Sequence, residues 1–401
     1  MKKITVLVTD GDNRSSLAVT RSLGKYGCRV LVTASQSQSL SANSRYCEKG
    51  FQVYAVEHNE KRFATDIVSI VNNEDVDVIF PMTEPTILAL LHNRDLLNEH
   101  VIVASAELKA INSIFDKYNL FKMADKLGVD IPKTYFIQDK ATYESTKFQI
   151  DSFPVVIKPC QSKIQVNDGY ISTRVMYASN MDELDDLYSN IDFLEYPSLI
   201  QERIYGDGTG LFTIFDGESH KALFSHKRLR EKPPSGGVSV VSESVTPDTD
   251  MVAAVSTLLS NVNWQGIAMG EFKRDVRDGK PKLIEINGRF WGSLQLAIAA
   301  GVDFPVLLLR HVMGDPIDAT HDTYKKGIKL KWFLGTLDHL VIRLFSSKVK
   351  LNLPDESPSK LHSILEFLNI FEKDTSFDVI SKTDIKPFIY EIKQYIRALL
   401  K

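Results

Sequence analysis

The sequence predicts an α/β chain. A doubly wound parallel sheet comes first, then an α+β region built on antiparallel strands, then a mostly helical C-terminal segment. Three observations predict it. Up to about residue 112, short β-branched runs alternate with helical spacing, the pattern of a parallel sheet wound by crossover helices. Between residues 198 and 287, strand-like runs recur around short Gly-containing turns, as hairpins require. Toward the end, IYEIKQYIRALLK carries its apolar residues at helical intervals.

Composition narrows the function. A chain of 401 residues has room for two or three cores. With 43% hydrophobic and 25% charged residues it is an ordinary globular chain, which excludes disorder on a large scale. A net charge of -3 excludes bulk electrostatic coating of nucleic acid. Cys28, Cys47 and Cys160 have neither metal-ligand spacing nor a disulfide-framework pattern, which suits a reducing cytoplasm. The start, MKKITVLVTDGDNRSS, has too short an apolar run for a signal peptide, and no run approaches a membrane span. The expectation is a soluble cytoplasmic enzyme acting on small molecules.

In chain order, residues 4–8 read as a strand, 9–13 as a polar turn and 17–26 as a helix stopped by Gly27. Strands follow at 29–33, 51–56, 77–81 and 101–104, with a helix at 60–71 and a Ser/Gln-rich loop at 35–44. The first turn lacks G-x-G-x-x-G, and the second strand ends in Thr33-Ala34-Ser35 with no acid to hold a ribose, which argues against a nicotinamide enzyme. Glu84, just past the fourth strand, lies at the carboxyl edge, where open α/β sheets bind ligands. It suits a substrate amine, or is a solvated loop carboxylate.

From residue 113 a helix runs to Gly128. Residues 153–159 form a buried strand with Lys158 at its far end, and 198–204 form another. A turn at 206–210 precedes two antiparallel strands, 211–215 and 222–226, joined at Asp216-Gly217. Residues 227–237, KRLREKPPSGG, read as a basic loop. Arg230 there is a candidate for a carboxylate or acyl phosphate, and Ser235, Gly236 and Gly237 for N–H donors. A mobile surface loop fits the same residues. Helices are expected at 251–259, 294–300 and 305–313, and a linker at 351–358.

The richest stretch is 269–292, MGEFKRDVRDGKPKLIEINGRFWG, a strand, a tight turn and a second strand. A three-residue turn at Arg277-Asp278-Gly279 sets Val276 opposite Lys280 and Glu271 opposite Glu285. Period two then gathers Glu271, Glu285 and Asn287 on one face, with Ile284 and Ile286 on the other. Two facing carboxylates destabilise a hairpin unless a cation offsets them, and oxygen ligands of this kind suit Mg²⁺. A solvated hairpin face would carry the same charges.

Taken with Lys117, Lys158, the 201–204 strand and Arg289, the hairpin resembles the ATP-grasp superfamily. The likeness is strongest over 113–315, and EINGRFWGS is similar to carbamoyl-phosphate-synthetase-like and carboxylate–amine ligase members. The resemblance implies a Rossmann-like domain at 1–112, an ATP-grasp domain at 113–330 with a lid at about 125–200, and a helical appendage at 331–401. It implies ATP and two Mg²⁺ ions, with Mn²⁺ able to substitute. Lys117 and Lys158 would reach the phosphates. Gln201 C=O and Ile204 N–H would hold adenine, and Glu202 or Asp207 the ribose. Glu271, Glu285 and Asn287 would be the metal ligands, and Arg289, with Arg230, would steady the transferring group. One departure stands out: the loop after the second lysine, 160–174, has a single glycine, Gly169, where the family has a Gly/Ser-rich loop.

The activity implied is amide formation from a small carboxylate and an amine through an acyl phosphate, with ADP and phosphate released. Carbamoyl or carboxyphosphate chemistry, and a non-catalytic nucleotide-binding regulator, are the alternatives. No nucleic acid or membrane partner is expected, and a homodimer is the candidate assembly.

Overall fold

Val6, Leu7 and Val8, at the centre of the first strand, have no exposed surface, because strands pair on both sides and helices cover both faces. The computed structural model describes residues 3–166, 169–234, 236–317, 323–348, 351, 353, 358–369 and 372–400. Its first sheet is fully parallel, in the order Lys49–Gln52, Arg29–Ala34, Thr5–Val8, Val78–Phe80, Ile102–Val103. Strand order reverses at Thr5–Val8, so its carboxyl end is the sheet's switch point. The helix Arg14–Tyr26 ends at Gly27, with φ 107°, where the Cys28 N–H reaches back to the Leu23 carbonyl at 3.0 Å.

The third strand was expected at 51–56 and lies at Lys49–Gln52. It is a mostly exposed edge, and its place is set by backbone pairing with Leu31–Ala34, which hydrophobicity does not report.

An antiparallel sheet of four strands follows, ordered Met176–Ala178, Val155–Pro159, Ser198–Glu202, Thr134–Ile137. The stretch expected as an atypical loop at 160–174 contains a two-stranded hairpin, Lys163–Val166 with Gly169–Ser172. Lys163 pairs with Glu57 at 2.9 Å and the Tyr170 hydroxyl donates to Glu60 at 2.8 Å, so this hairpin leans on the first sheet's helices and loops.

The third sheet has seven strands, in the order Pro281–Asn287, Gln265–Arg274, Gly208–Asp216, His220–Lys232, Val238–Val245, Lys329–Lys331, Thr375–Phe377. Two expectations change here. The basic segment at 227–237 is strand as far as Lys232, and the turn at 206–210 gives way to strand at Gly208. The last strand belongs to the C-terminal segment and pairs in parallel with Lys329–Lys331. That segment is therefore stitched into the large sheet. It is also tied to the first helix: Arg21 meets Asp384 at 2.8 Å with both side chains buried, and Arg14 pairs with Asp378 while stacking 4.0 Å from the Trp332 ring centre.

Phe290 and Trp291 are the wedge between the first and third sheets. Phe290 stacks on Phe80 with centroids 6.3 Å apart, and Trp291 lies 4.2 Å from Phe212. Burying side chains of this size contributes roughly 1.5–3 kcal/mol for Phe and more for Trp. That anchors the hairpin's exit against the switch point of the parallel sheet. Among the described residues, no single helix is long and apolar enough to cross a membrane.

Candidate nucleotide and ligation site

Glu271 stands directly opposite Glu285. The route to that pairing differs from the expected one. The hairpin closes on Arg274 opposite Pro281, with an even loop of residues 275–280 in place of an odd turn. Inside that loop the Gly279 N–H bonds the Asp275 carbonyl at 2.8 Å. Counting back from the even loop would set Glu271 against Ile284. The register shifts between Glu271 and Phe272, and Ile284 is the extra residue of a bulge. Leu283 and Ile286 go into the core, while Ile284 and Glu285 both line the cleft, so Ile284 is not on the apolar face as expected.

The cleft is a cavity of about 550 Å³ between the four-stranded sheet and the seven-stranded one. Its lining includes Lys117, Lys158, Gln201, Glu202, Ile204, Glu271 and Glu285, together with Gly236 and Gly237 of the loop after Lys232. Lys117 is the first residue of the helix Lys117–Lys126, behind the Asp116 cap, and its ammonium meets Glu285 at 2.8 Å. Lys158 is buried on Val155–Pro159. It donates to the carbonyl of Ile284 at 3.1 Å and lies 5.3 Å from the Phe121 ring centre. Asn287 donates to Glu285 at 3.3 Å.

Charge is concentrated here. Burial would raise the Glu285 carboxyl, but Lys117, Arg289 and Lys158 together hold it below the usual carboxylate range. Burial opposes the charge on Lys117 too, and Glu285 and Glu84 raise its pKa regardless. Lys158 is lowered to about 8, chiefly by burial and further by Lys117 and Lys273, with Glu285 pulling the other way.

Arg289 and Glu84 line a second cavity of about 390 Å³ at the switch point of the parallel sheet. Ser162 borders both cavities, so the two adjoin. Glu84 opens the helix Glu84–His92 behind the Thr83 cap. Burial raises its pKa, against the pull of Lys117 and Arg289. Arg289 does not continue the strand, which stops at Asn287. A side chain at Gly288 would meet Trp264 at 2.2 Å, so the chain passes tightly under that ring and delivers Arg289 to the neighbouring cavity.

Three expected residues stand elsewhere or differently. Arg230 pairs with Glu366 of the C-terminal segment and lines a separate cavity, because bulges on either side of it shift the strand's register. Asp207 lines that separate cavity too. Glu202 reaches the large cavity but is already bound by the Lys133 N–H at 3.0 Å and Arg277 at 2.8 Å. Ser235 lies outside the described residues. Sequence reasoning missed Arg228, which pairs with Glu271 and with Glu231 at 2.9 Å. Strand alternation continued from His226 would have found it.

The oxygens of Glu271, Glu285 and Asn287 are hard donors of the type Mg²⁺ prefers. Among the described residues no three His, Cys, Asp or Glu side chains gather into a metal-holding group. A dication here would complete its shell with phosphate oxygens and water, as Mg²⁺ commonly does.

The chain is similar in sequence and fold to several known proteins. Residues 220–335 match a family described as ATP-grasp in the biosynthetic pathway with Ter operon. Over that stretch the chain is similar to ATP-grasp proteins. D-aspartate ligase of Enterococcus faecium (strain Aus0004) is 23% identical over 206 residues, covering 48% of this chain. The chain spans about half (48%) of that curated relative's length. The fold is similar to the biotin carboxylase domain of Hydrogenobacter thermophilus 2-oxoglutarate carboxylase, with a TM-score of 0.63 and 13% identity over 82% of this chain and 74% of that one. It is also similar to an L-amino acid ligase from Bacillus licheniformis, at 0.58 and 15% over 78% and 75%. For an N5-carboxyaminoimidazole synthetase from Staphylococcus aureus the values are 0.61 and 12% over 82% of both chains.

Proposed function

We propose that the chain is an ATP- and Mg²⁺-dependent ligase that joins a small carboxylate to an amine through an acyl phosphate, releasing ADP and phosphate. The observation that carries this reading is the junction at Lys117. Its ammonium binds Glu285 in the larger cavity and is electrostatically coupled to Glu84 and Arg289 in the smaller one. A nucleotide in one space and an acid in the other would meet across that residue.

In this reading the larger cavity takes ATP. Gln201 C=O and Ile204 N–H hold adenine, and Glu202 is the nearer candidate for the ribose. Lys117 and Lys158 neutralise the phosphates as compact point charges. Glu271, Glu285 and Asn287 hold two Mg²⁺ ions, replaceable by Mn²⁺, which when bound offset the phosphate charge and align the transfer. Gly236 and Gly237 offer backbone N–H groups at the cavity wall, where Gly237 passes so close to the Lys232 carbonyl that a side chain would sit 2.4 Å from it.

Arg289 steadies the acid and the acyl phosphate in the smaller cavity, since its guanidinium matches planar oxyanions. Glu84, whose pKa is raised by burial, receives the amine. Residues 1–112 would thus contribute the ligation side and 113–330 the nucleotide side, with 125–200 as the lid. Three free cysteines accord with a reducing cytoplasm.

The test is product analysis. The chain, given Mg-ATP with pools of carboxylates and amines, should release ADP only when both are present. AMP in its place would mean adenylation and contradict the reading. Glu285→Gln should abolish ADP release while leaving the unfolding transition in place.

A further inference from the structure

The carboxyl edge of the parallel sheet has another recess that the chemistry above leaves unused. It is a cavity of about 220 Å³ where the first three strands end. Asn13 and Thr83 border both this recess and the cavity of Glu84 and Arg289, so the two adjoin. Asp10, Asp12 and Glu57 line it, and among the described residues no Lys, Arg or His does. The neighbouring cavity has the opposite balance, Arg14, Lys163 and Arg289 against Glu84.

Acidic side chains at a surface are commonly just solvated. Thr33 marks this recess as more than that. It lines the cavity, is fully buried, and its hydroxyl has no hydrogen-bond partner among the described residues. A buried polar group left unpaired costs roughly 1–3 kcal/mol, which a bound polar group would relieve. Asp10 is held in place at the edge of the recess. Its backbone is left-handed, with φ 53°, and its carboxylate accepts the hydroxyls of Thr9, Thr86 and Thr83 at 2.5, 2.9 and 3.3 Å. Thr83 is part of the wall between the two cavities. Burial raises the pKa of both Asp10 and Asp12, a cost that a nearby cation would offset.

On the ligase reading, the geometry points to an acceptor amine with two basic nitrogens. One attacks as the neutral amine in the Glu84–Arg289 cavity, while the other stays an ammonium ion among Asp10, Asp12 and Glu57. The attacking nitrogen forms the new bond to the acyl carbon. The bond from that carbon to the phosphate oxygen breaks, and the proton lost by nitrogen leaves with inorganic phosphate. A diamine or a basic amino acid has this chemistry, and a monoamine does not. Glu57 already pairs with Lys163 at 2.9 Å, so Asp12 is the carboxylate to substitute first.

Calorimetry on the full chain with MgADP, using α,ω-diamines of about three to six carbons against monoamines of equal length, tests this. At least one diamine should bind about tenfold tighter than its monoamine, the scale of a single partly buried ion pair. Asp12→Asn should remove most of that preference and Thr33→Val part of it, with MgADP binding unchanged in both. Equal affinity for every diamine and monoamine pair overturns the proposal, as does a preference that Asp12→Asn leaves intact. A diamine held through Asp12 by a protein that never releases ADP from MgATP would support the subsite and contradict the ligase reading.

Discussion

The ammonium of Lys158 is held 3.1 Å from the carbonyl of Ile284, the extra residue of the hairpin bulge. The irregularity that restores Glu271 to its place opposite Glu285 thus also supplies the acceptor that positions a buried lysine. The neighbouring residue, Glu285, is the partner of Lys117. One bulge sets two cations and a carboxylate around the same space.

On the proposed reading, Lys158 should make nucleotide binding pH-dependent. Burial lowers its pKa to about 8, and a bound polyphosphate favours the ammonium form. Below that pH the proton is already present. Above it the free protein must take up a proton to bind, so affinity falls as pH rises. Calorimetric titration with MgADP should give a flat profile near neutral pH and a loss approaching tenfold per pH unit above about 8. Lys158→Met should weaken binding by about tenfold or more and flatten the profile. An unchanged slope in the variant would contradict the assignment.

Glu271 pairs with Arg228, and Arg228 keeps Glu231 at 2.9 Å as a second partner. Glu271→Gln removes charge without removing bulk. The Mg²⁺ concentration that half-saturates ADP binding is expected to rise about tenfold, the size of losing one charged ligand oxygen. No change in the Mg²⁺ requirement would remove Glu271 from the metal set.

The tie between the C-terminal segment and the first helix is a stability element. Asp384 accepts Arg21 at 2.8 Å, the Ser44 hydroxyl at 2.6 Å and the Arg45 N–H at 2.9 Å. Asp384→Ala leaves the buried Arg21 without its carboxylate partner, which should cost about 3–5 kcal/mol in urea unfolding, whereas Arg21→Met with Asp384→Leu should cost less, with the loss of the acceptor of Ser44 and Arg45 remaining. Burial would raise the Asp384 carboxyl, but Ser44 and Arg21 hold it below its usual value. Its contribution is therefore complete above pH about 4 and lost as pH falls through the lower, folded-state pKa.

Gly288 is a packing constraint on the site. Gly288→Ala would bring its methyl group within 2.2 Å of Trp264, forcing the ring or the backbone to move. A loss of roughly 1–3 kcal/mol is expected from overpacking, read as a lower urea midpoint. Because Arg289 follows directly, the same variant should raise the KM for the carboxylate more than that for ATP.

Local rules made much of this legible. Gly27 stopped the first helix where a left-handed residue was needed, and period two gathered Glu271, Glu285 and Asn287. The turn was misread because an odd loop and an even loop followed by a bulge give the same pairing at Glu271. Ile284 shows the difference only in which face it takes. Arg230 was preferred to Arg228 because two prolines and two glycines made 227–237 look like a loop, while backbone pairing carries the strand to Lys232. The edge strand Lys49–Gln52 and the strand Thr375–Phe377 have little apolar signal, since their place is fixed by hydrogen bonds to distant partners. The adjoining cavities were not legible at all, because Ser162, Glu84 and Arg289 meet only through packing of separate sheets.

The central claim is that phosphate passes from ATP to a carboxylate at the Lys117 junction. The direct measurement is oxygen transfer from ¹⁸O-labelled carboxylates during turnover with Mg-ATP and an amine. One ¹⁸O per amide formed should appear in inorganic phosphate. Label in AMP, or turnover that leaves the phosphate unlabelled, would contradict the account.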